Sequence, residues 1–89
     1  MSKLKWLTRA EIEALAQIRD ELRLQAHLLE AEVRDRWERA EVSWSHVMSD
    51  INAARESVDR SRIEVSAAAG LLFETVRDSY RDIRKSLQH

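Results

Sequence analysis

Few residues in this chain could do chemistry, and their spacing decides what kind. His27 and Glu30 stand three positions apart in His27-Leu28-Leu29-Glu30, so on a helix an imidazole and a carboxylate share one face. Carboxylate-bridged di-metal bundles use the opposite order, Glu-x-x-His, on two helices, with two further glutamates. No Glu-x-x-His occurs in the 89 residues. His46 and His89 join no ligand pattern, so no metal or cofactor is expected and solvated polar side chains are the plainer reading. Nine serines are present, but no Gly-x-Ser-x-Gly elbow and no glycine loop that could cradle a phosphate. Cysteine is absent, which removes disulfides and thiolate metal sites. The residue inventory points away from an enzyme.

The three tryptophans are more informative. Trp6 precedes the first expected helix, while Trp37 and Trp44 are one heptad apart. They either fill a seam or offer an aromatic anchor to a partner, since tryptophan is enriched at binding hot spots.

These side chains must be carried by helices. Proline is absent and glycine occurs once, at Gly70, so the usual loop vocabulary is missing. Fifteen basic and sixteen acidic residues leave a formal charge of −1. Residues 1–44 carry eight basic and nine acidic side chains and residues 45–89 seven of each, so neither half is a basic arm and no nucleic-acid partner is expected. The longest uncharged stretch, Val65 to Phe73, is nine residues. A membrane span needs about 18–20. The basic start, Met-Ser-Lys-Leu-Lys-Trp-Leu, lacks the apolar core of a secretory signal, so the expected location is cytoplasmic, with a dedicated secretion system as the exception.

Thr8 and Glu11 have capping-box spacing, and Leu7 and Ile12 occupy the staple positions around them, which predicts a helix start at Thr8. From there apolar residues recur in steps of three and four: Ile12, Leu15, Ile18, Leu22, Ala26, Leu29, Val33, Trp37, Ala40, Trp44. The stripe continues through Val47, Ile51, Ala54, Val58, Val65, Leu72, Val76, Tyr80, Ile83 and Leu87. Glu13, Asp20, Arg23, Glu30, Arg34 and Glu41 fall on the opposite face. Glu30–Arg34, Glu32–Arg36 and Asp35–Arg39 have the spacing and order of supporting ion pairs.

The decisive stretch is Ser43–Asn52. An unbroken heptad runs through it, which argues for one rod about 120 Å long. Its serines, Asp50 and Asn52 favour caps and turns, which argues for a break. Folding near residue 47 would bring Leu22 opposite Leu72–Phe73, Leu29 opposite Val65, Trp37 opposite Val58 and Trp44 opposite Ile51. That match favours a hairpin over a rod, over a rival break at Ser61–Glu64 that would leave arms of unequal length, and over three shorter helices. The expected fold is therefore all-α and a single domain: a lead over residues 1–7, a helix over 8–46, a turn at 47–49 and a second helix over 50–88. Leu24, Leu28, Ile63, Leu71 and Phe73 widen the apolar arc beyond one seam, so two hairpins are expected to pair into a four-helix bundle.

Two matched helices with a tryptophan at the turn resemble the small secreted hairpins of the WXG100 class, whose members pair into four-helix bundles. The resemblance covers the architecture and Trp44. The family motif has glycine two residues after the tryptophan, where this chain has His46, and its C-terminal Tyr-x-x-x-Asp/Glu signal is unmatched because Arg84 follows Tyr80 at that spacing.

The function expected is that of a non-enzymatic helical interaction module (a scaffold, adaptor or small chaperone) that forms a homodimer or meets another helical protein. The expected interface is Leu22, Leu29, Trp37, Trp44, Val65, Leu72 and Val76. Two alternatives stand beside it. One is reversible binding to a membrane surface through Val65–Phe73 and the Lys3/Lys5/Trp6 start. The other is a small exported hairpin or secretion-system component, which rests on the resemblance alone.

Overall fold

A computed structural model describes residues 4–55 and 62–88. The elements run β1 (Leu4–Thr8), α1 (Arg9–Gln25), a short 3-10 turn (Ala26–Leu28), α2 (Ala31–Arg55), β2 (Arg62–Ser66) and α3 (Ala67–Leu87). The longest dimension is 40 Å, far short of an 80-residue rod and shorter than the arms of a two-helix hairpin.

The strand pair is the feature the helical periodicity conceals. In β1, Leu7 points into the core and Trp6 points out. In β2, Ile63 and Val65 point in. The two strands pair antiparallel, with Leu4 opposite Ser66, Trp6 opposite Glu64 and Thr8 opposite Arg62. Ile63 and Val65 are β-branched and alternate with Arg62, Glu64 and Ser66, which suits a half-buried strand. The expected second helix therefore gives way to strand over 62–66, and the expected lead over 1–7 holds β1 from Leu4 onward. Ser61 and Val58 lie outside the described residues.

Both helices that leave the ribbon start from a side-chain cap. Thr8 accepts a hydrogen bond from the Glu11 backbone N–H at 3.1 Å, and Ser66 accepts one from the Ala69 N–H at 3.1 Å. The capping box at Thr8 is present in altered form: the Glu11 carboxylate accepts from the Thr8 hydroxyl at 3.0 Å. Gly70 lies one turn inside α3 and is buried, so it neither ends that helix nor makes a turn there.

The first reversal comes at residues 26–30. The Leu29 N–H donates to the Ala26 carbonyl at 3.2 Å, and Leu29 itself is extended, with φ −77° and ψ 140°. Its free carbonyl accepts from Arg34 Nη2 at 3.1 Å. The side chain of Leu29 is buried and pins the turn to the core. Among the described residues no φ is positive, so the reversal needs neither glycine nor asparagine.

Residues 47–49, where the turn was expected, lie inside α2. Val47 and Ile51 are fully buried, and Ser45, Ser49 and Asp50 are exposed on the outer side of the same helix. The serine-rich stretch is thus a solvated helix face, and the heptad Trp37, Ala40, Trp44, Val47, Ile51 faces the core. A hairpin folded at residue 47 is not the arrangement found.

α2 lies antiparallel to α3: Arg36 reaches Asp82, Trp37 meets Tyr80, and Ala40 and Ser43 face Val76. α1 runs in the direction of α3, since Leu15 and Ile18 face Phe73, Arg77 and Arg81. Three helices therefore pack around one core, with the ribbon closing one end.

Candidate interaction surface

The residues expected at an interface lie in the chain's own interior. Leu22, Leu29, Trp37, Trp44, Val65 and Val76 are all buried, and Leu72 is partly buried against the same cluster. The stripe was legible, but the surface that covers it belongs to the same chain.

At the centre, three helices meet through one polar cluster. Arg19 of α1 donates to Glu41 of α2 in a two-pronged pair, Nε to Oε2 at 2.8 Å and Nη2 to Oε1 at 3.0 Å. The Tyr80 hydroxyl of α3 donates to the same Glu41 Oε2 at 2.5 Å. Such charge-assisted bonds are short and roughly twice as strong as neutral ones. The Arg19 and Glu41 side chains are only 24% and 23% exposed. Aromatic rings enclose the cluster. Trp37 and Trp44 lie 5.3 and 6.3 Å from the Tyr80 ring, both tilted, and the Arg19 guanidinium sits 5.5 Å from the Trp44 ring centre.

Burial raises the Tyr80 hydroxyl well above the usual tyrosine range, and its bond to Glu41 adds to the shift. The same carboxylate, through its hydrogen bonds, raises Arg19. Tyr80 is held protonated, and Glu41 is engaged by donors from two other helices. The cluster joins helices. The sequence placed Glu41 on the solvent face; only the need of a buried tyrosine hydroxyl for a partner hinted otherwise.

The other candidates stay at the surface. His27 and Glu30 are both exposed at the 26–30 reversal. Among the described residues no three His, Asp or Glu side chains are grouped to hold a metal. Nor is any helix among them long and apolar enough to cross a membrane. Among the described residues the expected pairs along α2 do not form: Arg34 bonds the Leu29 carbonyl locally, and Arg36 reaches Asp82 of α3 at 3.5 Å.

Three clefts between elements hold about 150, 220 and 250 Å³. Small-molecule sites usually need roughly 300–1,000 Å³. A shallower hollow on the outer face of α2, at Asp35, Glu38, Arg39 and Val42, holds about 390 Å³. The large apolar side chains left outside are Leu24 at 79% exposure, Leu28 and Leu71 at 63%, Val42 at 60% and Trp6 at 48%. No family model, curated protein or solved structure matches this chain.

Proposed function

We propose that this protein is a non-enzymatic helical interaction module, a scaffold, adaptor or small chaperone that binds amphipathic helices, with a second copy of itself among the possible partners. The observation that carries this reading is the exposure of Leu24, Leu28 and Leu71 on a chain whose own core is already closed. Each of these leucines offers apolar surface that an amphipathic partner helix would cover. The α1–α3 cleft, at about 150 Å³, has room for a side chain. A fourth helix laid against a pair of the three would complete a four-helix arrangement, with the added helix supplied by a partner rather than by a second hairpin.

Sedimentation equilibrium across a concentration series, with and without amphipathic helical peptides, tests this. A mass above that of one chain, or a peptide complex, is expected at micromolar concentration. A fully helical chain that stays monomeric and binds no amphipathic peptide would refute it.

The membrane-surface reading keeps less support. Of its Val65–Phe73 patch, Val65, Ala69, Gly70 and Phe73 are buried, and Leu71 alone among the large side chains is well exposed.

A further inference from the structure

α1 and α3 lie side by side, and near the ribbon they leave a cleft of about 150 Å³ that no α2 side chain lines. Leu15 and Phe73 are buried beneath it, and Ile18 is half-buried at its edge. Ala14, exposed and small, lines the α1 wall. The α3 wall carries Arg77 and Arg81, one turn apart. Arg77 Nε lies 3.4 Å from its neighbour Asp78. Arg81 has no hydrogen bond or ion pair among the described residues. Across the cleft, the Glu11 carboxylate is already engaged by the Thr8 hydroxyl. The hydroxyl bond leaves Glu11 charged, so the α1 wall carries one negative charge and the α3 wall two positive ones, Arg77 also meeting Asp78; the balance of the lining is positive and sits on α3.

We infer that the α1–α3 cleft receives an apolar side chain of an amphipathic helix from another protein, and that the acidic flank of this helix lies on Arg77 and Arg81. The inference rests on the interaction-module reading and names its site and partner chemistry. The cleft has the volume of one side chain. Two helices side by side offer a groove for a third, read through anchors one turn apart. Arginines one turn apart on α3 match carboxylates one turn apart on the incoming helix, and the guanidinium fork pairs with carboxylate in two-pronged geometry. The closed core beneath makes the groove rigid, so little ordering is needed on this side of the contact. The exposed face of α2 at Asp35, Glu38, Arg39 and Val42 carries two carboxylates beside an apolar side chain, along with one arginine, so a second copy is a competitor to test.

The test uses two fluorescent helical peptides of about 20 residues, long enough to be helical alone. Both carry the same leucine stripe; one is flanked by glutamate and the other by lysine. Anisotropy titrations are made against the wild-type chain, Arg77→Glu/Arg81→Glu, and Ala14→Trp, which fills the cleft from an exposed position. Circular dichroism confirms that each variant is folded. The glutamate peptide is expected to bind the wild-type chain, and to weaken roughly tenfold or more with either variant. The lysine peptide is expected to prefer the charge-reversed chain. Equal binding of both peptides to the wild-type chain, or glutamate-peptide binding untouched by both variants, overturns the cleft while leaving the interaction-module reading intact. Self-association abolished by Ala14→Trp, with no peptide bound, makes a second copy the occupant and overturns the foreign helix. No peptide bound and no self-association overturn both readings together.

Discussion

α3 has two sides, and they are finished differently. Toward α2 it is sealed at its centre by Trp37, Trp44, Tyr80 and Glu41, with every ring against another ring and the one hydroxyl satisfied, while a cleft of about 220 Å³ at Ala40, Ser43 and Val76 lies outside this cluster. Toward α1, near the ribbon, it ends in a cleft with an apolar floor and an arginine rim. The difference lies in the residues each neighbour presents. α2 sends two tryptophans and a carboxylate across the gap; near the ribbon α1 sends Ala14, Leu15 and Ile18. A large aromatic with a polar handle closes a helix interface and fixes its register, whereas a small residue leaves room for something else. The sealed side should therefore govern stability, and the open side should govern binding.

The largest effect expected separates residues that the apolar stripe alone treats as equals. Leu29 and Leu72 both lie on it, but Leu29 is buried at the 26–30 reversal and Leu72 is only partly buried. Leu29→Asp buries an unpaired carboxylate and removes the anchor of the turn. A cost of several kcal/mol follows, against a total of about 5–15 for a domain. The variant is expected to be unfolded by circular dichroism at room temperature. Leu72→Asp can turn its carboxylate toward water and is expected to melt cooperatively at a lower temperature. Equal collapse of both would mean that burial in the single chain does not decide the outcome.

Next comes the central cluster. Glu41→Ala leaves the Tyr80 hydroxyl buried without its acceptor and removes the partner of Arg19. A loss of about 2–3 kcal/mol is expected from chemical denaturation. Tyr80→Phe keeps the ring contacts and the Arg19–Glu41 pair, so only about 1 kcal/mol should go. If the two variants were equally stable, the cluster would not be joining the three helices.

Why this cluster was hidden while its surroundings were visible is a matter of distance. The Thr8 cap, the heptad Trp37–Ile51 and the inward face of α3 are local patterns, repeated every three or four residues. Arg19, Glu41 and Tyr80 come from three helices and meet only after the chain has turned twice. The first of those turns was silent because Leu29 reverses the chain in an ordinary extended conformation, stabilised by Arg34, without glycine or proline. The ribbon was silent because Ile63 and Val65 fit a two-residue period and fall on or beside the helical stripe. The serines and Asp50 in Ser43–Asn52 pointed the other way: cap-forming types in a place where the buried Val47 and Ile51 hold the helix. The surface cleft was out of reach for a further reason. Its lining becomes a lining only once α1 and α3 are parallel, and nothing in either helix alone requires that.

A pH titration sharpens the contrast from the sealed side. Tyr80 is the only tyrosine, so phenolate absorbance reports it alone. Its folded value is raised, whereas an unfolded tyrosine ionises near pH 10. The folded chain therefore holds a proton that the unfolded chain releases above about pH 10. The stability this contributes is complete below that pH and declines above it, by about 1.4 kcal/mol per pH unit at most. Phenolate is expected to appear together with loss of helicity, not before it. Phenolate formed in a chain that is still fully helical would show that Tyr80 is open to solvent.

The smallest stability effect is expected on the open side, and it is the most discriminating. Arg81→Glu and Ala14→Trp both change exposed positions, so each should alter stability by only about 0.5 kcal/mol. Asp82→Asn makes a useful control on the opposite flank of α3. It breaks the exposed contact with Arg36 at 3.5 Å, and an exposed pair of this kind contributes about 0–1 kcal/mol. All three variants should melt within a few degrees of the wild-type chain. Only the first two should lose the glutamate-flanked peptide, because only they alter the rim or the opening of the cleft. That separates a binding surface from general surface charge: Asp82→Asn raises the net charge by one and would, if anything, strengthen a non-specific attraction to an acidic peptide. A loss of peptide binding in Asp82→Asn as large as in Arg81→Glu would move the contact off the α1–α3 cleft and onto the α2-facing flank of α3.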